Sequence, residues 1–154
     1  MASIELDLPK DFIRRMERIQ EEAQEIIDKS LEAGAAIVER YVRNNLRGVL
    51  SAEHKHGELI NALGTTPAKT DKYGVRNIKI GFKEPRNDQS GSHTTRSGRK
   101  RTYYVRTNAM IASVLEHGRS NQKARPFLAP AAIAAQGPVE KAMERTFDEE
   151  VAKI

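Results

Sequence analysis

From Asp11 to about Leu46, Phe12, Met16, Ile19, Ala23, Ile26, Ser30, Ile37 and Tyr41 recur at helical spacings, and Ile27, Leu31 and Val38 widen the same face. That periodicity predicts one long helix over residues 11–46, with Pro9 and Asp11 as start signals. Glu25 to Lys29 and Glu39 to Arg43 place acid before base at the favourable four-residue spacing. At about 1.5 Å per residue, about thirty-five residues reach roughly 50 Å, more than a small domain needs for its own core. Part of the helix is therefore expected to project. Gly34, inside Ala33-Gly34-Ala35-Ala36, marks either a kink or close packing of another backbone, with close packing favoured.

Further along, Gly48 to His56 reads as a connector, Glu58 to Leu63 as a short helix closed by Gly64, and Thr65 to Tyr73 as a turn-rich link. Val75 to Phe82 alternates, with Ile78, Ile80 and Phe82 on one face, as a half-buried strand does. Thr102 to Thr107 resumes strand character, so the two runs predict a hairpin over residues 74–107. Asn87 to Arg101 between them has no apolar side chain and reads as a mobile loop within residues 84–101. The expected fold is α+β: a long N-terminal helix and a C-terminal helix packed on a small antiparallel β-sheet with a long basic hairpin loop.

Near the end, an apolar run stops at Glu116-His117-Gly118, where a glycine can take the left-handed conformation that closes a helix. Arg119 to Lys123 is polar. Pro126 then pushes Arg125 into extended geometry, Phe127 and Leu128 offer bulk for a core, and Pro130 suits a first helical turn. The last helix is expected over residues 130–152, bent or interrupted at Gly137-Pro138.

A chain of 154 residues, 38% hydrophobic and 31% charged, suits one compact domain. With 5% aromatic residues and no Trp, its core must rest on aliphatic side chains, so apolar surface completed by a second copy is expected. The absence of cysteine excludes disulfides and thiolate metal sites. No secretory leader or bilayer-length apolar run is visible, so a soluble chain with no membrane partner is expected. The net charge of +5 is local, since residues 72 to 106 hold ten Lys or Arg against two acids. Such a stripe suits phosphates or an acidic protein ring.

Glu116, Gly118, Arg125, Pro126, Phe127, Leu128, Pro130 and Ala131, set around a polar loop, resemble the signature of the tail-completion, or head-to-tail joining, proteins of long-tailed bacteriophages. Gly57-Glu58-Leu59 with Ala62-Leu63 is similar to a second motif of that family, with His56 and Ala62 standing where it has threonine and serine. The order of elements fits most of the chain, though the basic stretch 84–101 has no family counterpart. The resemblance implies a single tail-completion-like domain over residues 1–154 and a structural role with no catalysis, cofactor or metal. It implies a ring, hexameric by family analogy, whose partners are the head connector and the tail-tube or tail-terminator proteins. Its place would be the neck of the virion, after assembly in the bacterial cytoplasm.

Arg96, Arg99, Lys100 and Arg101, with Tyr103 and Tyr104 beside them, can meet nucleic-acid phosphates while an aromatic stacks on a base. In a tail-joining ring they would border the channel for double-stranded DNA. The alternative is a small DNA- or RNA-binding protein that uses the basic hairpin 84–106 directly, and a merely solvated loop is the plain reading beside both. His54-x-His56 has metal-ligand spacing on a strand, but no Cys or Asp supports it. His117 beside Glu116, with Ser113 and Ser120 in reach, lacks a nucleophile turn or an oxyanion cradle. Glu149-Glu150 reads as a solvated helix face, and no Gly-x-x-x-x-Gly-Lys motif is present.

Overall fold

The computed structural model describes residues 9–50, 57–84, 91–103 and 107–154. Helix α1 spans Lys10–Val49, extending the expected helix at both ends. Pro9 caps it, and its carbonyl accepts the N–H groups of Phe12 and Ile13 at 3.0 and 3.2 Å. Both expected four-residue pairs form, Lys29 meeting Glu25 at 2.8 Å and Arg43 meeting Glu39. The order then runs α2 (Gly57–Ala62), β1 (Leu63–Thr65), β2 (Lys69–Thr70), β3 (Arg76–Asn77), β4 (Ile80–Phe82), β5 (Gly91–Thr94), β6 (Lys100–Tyr103), α3 (Asn108–His117) and α4 (Leu128–Val151).

The class is α+β, but its strand pairing differs from the single hairpin expected over residues 74–107. Among the described residues there are three two-stranded antiparallel sheets, β1 with β4, β2 with β3 and β5 with β6. Local turn chemistry divides the strands this way. The Asp71 carboxylate accepts the N–H groups of Tyr73 and Val75 at 2.8 and 2.9 Å, and Gly74 takes φ +81°. That turn closes β2 on β3 and cuts the alternating run of residues 75–82 in two. The remaining piece, β4, pairs back with Leu63↔Phe82, Gly64↔Gly81 and Thr65↔Ile80. Gly64 therefore lies in a strand and does not close α2.

Residues 91–101, expected within a mobile loop, carry most of the β5–β6 hairpin. The Thr95 carbonyl accepts the Gly98 N–H at 2.8 Å, the Thr95 Oγ1 accepts the Arg99 N–H at 3.2 Å, and Gly98 has φ +76°. A polar sequence forms this hairpin because its turn is satisfied by its own hydroxyl and glycine. His54, His56, Tyr104 and Val105 lie outside the described residues.

The core gathers Val42 and Leu46 of α1, Leu59 of α2, Leu63 of β1, Leu115 of α3 and Phe127, which precedes α4. Phe82 meets Phe127 edge-on, with ring centroids 6.2 Å apart at 69°. Helix α4 runs antiparallel to α1, since Asn45 Nδ2 donates to the Phe127 carbonyl at 3.3 Å and Lys29 Nζ to Glu150 at 2.8 Å. Their seam is lined with small residues, Ser30, Gly34 and Ala35 on one helix and Ala131, Ala135 and Ala142 on the other. A Cβ on Gly34 would lie 2.9 Å from Met143 Cγ and Sδ, so this glycine permits close approach of α4, as favoured from sequence. Helix α4 continues unbroken through Gly137 and Pro138, where an interruption had been one expectation.

The N-terminal part of α1 outruns α4. From Lys10 to Glu22 every residue except Ile19 is exposed. Replacing Leu46, which is fully buried, with Ala should cost about 2–5 kcal/mol, because a cavity adds to the lost transfer energy. Met16→Ala, on the projecting part, should stay within about 0.5 kcal/mol. Urea denaturation of the two variants measures the contrast.

Candidate functional site

A helix begins with backbone N–H groups that have no helical acceptor. At the start of α4 the cap residue is Phe127, and no side chain of its own serves it. Glu116, in the last turn of α3, fills that role from across the loop. Its Oε2 accepts the N–H groups of Phe127 and Leu128 at 2.8 Å each, and its Oε1 accepts that of Ala129 at 3.0 Å. The next residue, Pro130, has no N–H, and Ala131 makes the first helical bond, to the Phe127 carbonyl. Every donor of that helix start is thus accounted for by one carboxylate and one proline.

Glu116 is 9% exposed, and burial by itself pushes its carboxyl upward. The three N–H donors together, with a smaller contribution from His117, outweigh burial and hold the carboxyl below the ordinary glutamate range. The positive end of the α4 dipole has the same sign of effect.

The loop between these groups has little freedom. Gly118 caps α3 at φ +75° and ψ −173°, a glycine-only region distinct from the left-handed helical conformation anticipated. A Cβ there would sit 2.7 Å from Ala124 N and 2.8 Å from the Gln122 carbonyl. Arg119 and Gln122 exchange backbone hydrogen bonds at 2.9 and 3.0 Å, and the Arg125 N–H donates to the Leu115 carbonyl at 2.7 Å. The Arg125 guanidinium donates to the Val49 carbonyl at 3.0 Å, binding the C-terminal end of α1. Phe127 is fully buried, whereas Leu128 is 38% exposed, which corrects the expectation that both side chains fill the core. Pro126 and Pro130 are exposed, and Leu59 of α2 is fully buried within the core.

Several fixing residues carry no sequence signal, because their partners lie far along the chain. Arg43 donates to the carbonyls of Ile60 and Leu63 at 2.9 and 3.3 Å, fastening α2 and β1 to α1. Arg76 binds Asp28 through two bonds of 2.6 Å, holding β3 to the same helix. The hydrogen bonds from Arg76, reinforced by its charge, keep the Asp28 carboxyl below its ordinary range against a smaller opposing effect of burial.

Arg96, Arg99 and Lys100 are exposed around the β5–β6 turn, and Arg101 lies in β6 paired with His93. The structure thus brings the four basic residues to one hairpin end, apart from the Glu116 clasp. His117 is exposed. Among the described residues there is no group of three or more His, Cys, Asp or Glu that could hold a metal ion. Nor, among them, is any helix long and apolar enough to cross a membrane.

A family model described as "Bacteriophage HK97-gp10, putative tail-component" matches residues 10–118. The chain belongs to this family. It is therefore a phage tail-related structural protein, and its family match runs from the first residue of α1 to the glycine that closes α3. Arg125 to Pro130 and α4 lie beyond that match, and their roles in this tail component rest on the geometry above. No curated protein and no solved structure matches the chain.

Glu116→Gln keeps the shape of the clasp but exchanges a charged acceptor for a neutral amide with one acceptor oxygen, and should cost about 1–3 kcal/mol at neutral pH. The native state holds Glu116 deprotonated where the unfolded chain has begun to bind its proton, so this contribution is complete above the ordinary value of about 4.3. It fades as pH falls from there through the lowered folded value. Denaturation at pH 7 and pH 3 should show the gap between wild type and variant shrinking in acid. Gly118→Ala should cost about 1–3 kcal/mol at any pH, through backbone strain and the clash with Ala124.

Proposed function

We propose that this chain is one subunit of a ring, hexameric by family analogy, that joins the completed tail to the head connector. Family membership over residues 10–118 carries the reading. The clasp geometry supports it, because Glu116, Gly118, Arg125 and Phe127 spend their polar and apolar groups on fixing helices and leave none arranged for turnover. The whole of residues 1–154 acts as one structural unit, in the virion neck after assembly in the host cytoplasm, with tail-tube or tail-terminator proteins on the far side. It converts no substrate and needs no cofactor.

Within that ring the β5–β6 end faces the DNA path. The exposure of Arg96, Arg99 and Lys100 favours this placement, since accessible cations can neutralise phosphates and release their counterions. The same observation favours the second reading, a small DNA- or RNA-binding protein acting through this hairpin alone. Salt separates them, because direct phosphate binding by the isolated chain would weaken steeply between low and physiological ionic strength.

Particles assembled without this protein should appear by electron microscopy as filled or emptied heads separate from completed tails. Joined particles in its absence would overturn the joining role. Replacing Arg96, Arg99, Lys100 and Arg101 together with Ser should leave folding intact and lower DNA retention, measured as the fraction of full heads. Unchanged retention and infectivity would remove the hairpin from the DNA path.

A further inference from the structure

The apolar stripe that α4 covers on α1 does not stop where α4 stops. Ile26, Ser30 and Gly34 are covered, while Phe12 and Met16, on the same face by helical spacing, are about half exposed. Ile154 shares a hollow with Arg14, Arg15 and Arg18 on the charged side of this arm, while its apolar side around Phe12, Met16 and Ile19 meets no other described element and stays exposed at a cost in apolar area. A second unfilled surface lies further along the same face of α1. Between α1 and α4 runs a valley of about 510 Å³ whose apolar lining includes Ile27, Leu31, Met143 and Phe147. Ile27 and Phe147 are exposed. A valley between two antiparallel helices is where a third helix packs, its ridge seated in their groove.

The charges that border the outer end of the arm and those that edge the valley are opposite, although Glu21 and Glu22 bring residues 10–22 as a whole to neutrality. Along the first turns of α1, Lys10, Arg14, Arg15 and Arg18 outnumber Asp11 and Glu17. The valley is edged by Glu144 and Asp148, and its one lining cation, Arg76, is paired with Asp28. Among the described residues neither of these carboxylates, nor Arg15 or Arg18, has an ion-pair partner within its own chain.

We propose that the arm of α1 in one copy packs into the α1–α4 valley of the next copy, with Phe12, Met16 and Ile19 against Phe147 and Ile27, and Arg15 and Arg18 against Glu144 and Asp148. The contact joins two different stretches of one helix face, so it can be exchanged reciprocally in a two-fold pair or repeat head to tail into a ring, and the ring reading selects the second. This inference rests on the ring reading and specifies its interface.

The chain has no cysteine, so Met16→Cys and Phe147→Cys introduce thiols without background. Within one molecule they cannot meet. Phe147 lines the valley beside Ile27, and eleven helical residues hold position 16 about 16 Å from position 27. A disulfide needs Cα atoms within about 7 Å. Under mild oxidation the double variant should form a covalent ladder of oligomers, and the two single variants mixed should give the mixed dimer in preference to either homodimer. Arg15→Glu with Arg18→Glu in the arm variant should lower the mixed dimer several-fold, and Glu144→Lys with Asp148→Lys in the valley variant should restore it.

Predominant 16-to-16 links, meaning arm against arm, or a double variant that stops at a doubly linked dimer, would overturn the proposal. A ring detected by mass, with no 16-to-147 link, would overturn this interface and leave the ring reading standing. A chain that stays monomeric at millimolar concentration, and shows neither the link nor a ring in assembled particles, would overturn both.

Discussion

Three backbone N–H groups at the head of α4 converge on one buried carboxylate, Glu116, and the placement of the last helix depends on that convergence. Each donor left bare in a buried setting would cost on the order of 1–3 kcal/mol, a large share of the stability a domain of this size possesses. The carboxylate is itself buried, and those donors favour its charged form against the opposing effect of burial. The dependence is mutual: the helix start needs the acid, and the acid needs the helix start. Phe127 sits at the junction, its N–H in the clasp and its ring fully buried against Phe82.

The same device recurs elsewhere. Arg125 takes the last carbonyl of α1, and Arg43 takes a carbonyl of α2 together with one of β1. A chain with few aromatic anchors and a seam of Ala, Gly and Ser gains modest energy from each apolar contact, although small residues let two helices approach closely. Charged side chains that reach helix ends from other elements supply directional ties which such a seam lacks. They fix which end of which helix meets which loop.

The long helix was legible in the sequence because its pattern repeats over ten turns, and the glycine–proline elbow was legible because each residue acts on its own backbone. The hydrogen bonds of Glu116 were not, since a cap supplied by another helix obeys no fixed spacing. In the sequence Leu128 reads with Phe127 as one apolar pair. Neighbours at a helix start point about 100° apart, so only one of them faces the core. Strand character in residues 80–82 was readable from alternation, but the choice of β1 as partner depends on contacts made across the fold. The β5–β6 hairpin is not legible from apolar periodicity, because its signal is a threonine–glycine turn. For Asp28–Arg76 no local pattern exists, and only the folded chain brings the two together.

Helix α4 is fastened to α1 near both of its ends, by Asn45 on the Phe127 carbonyl at the start and by the Lys29–Glu150 pair near the last turn. Because α4 lies antiparallel along α1, a pull directed along the helix axes loads these two attachments and the small-residue seam together, in shear. Ties strained in parallel share the force, whereas ties peeled one after another each bear it alone. A pull across the axes, lifting one end of α4, would find the second situation. The subunit is thus mechanically anisotropic, stiff along the axis of α1 and more yielding at right angles to it.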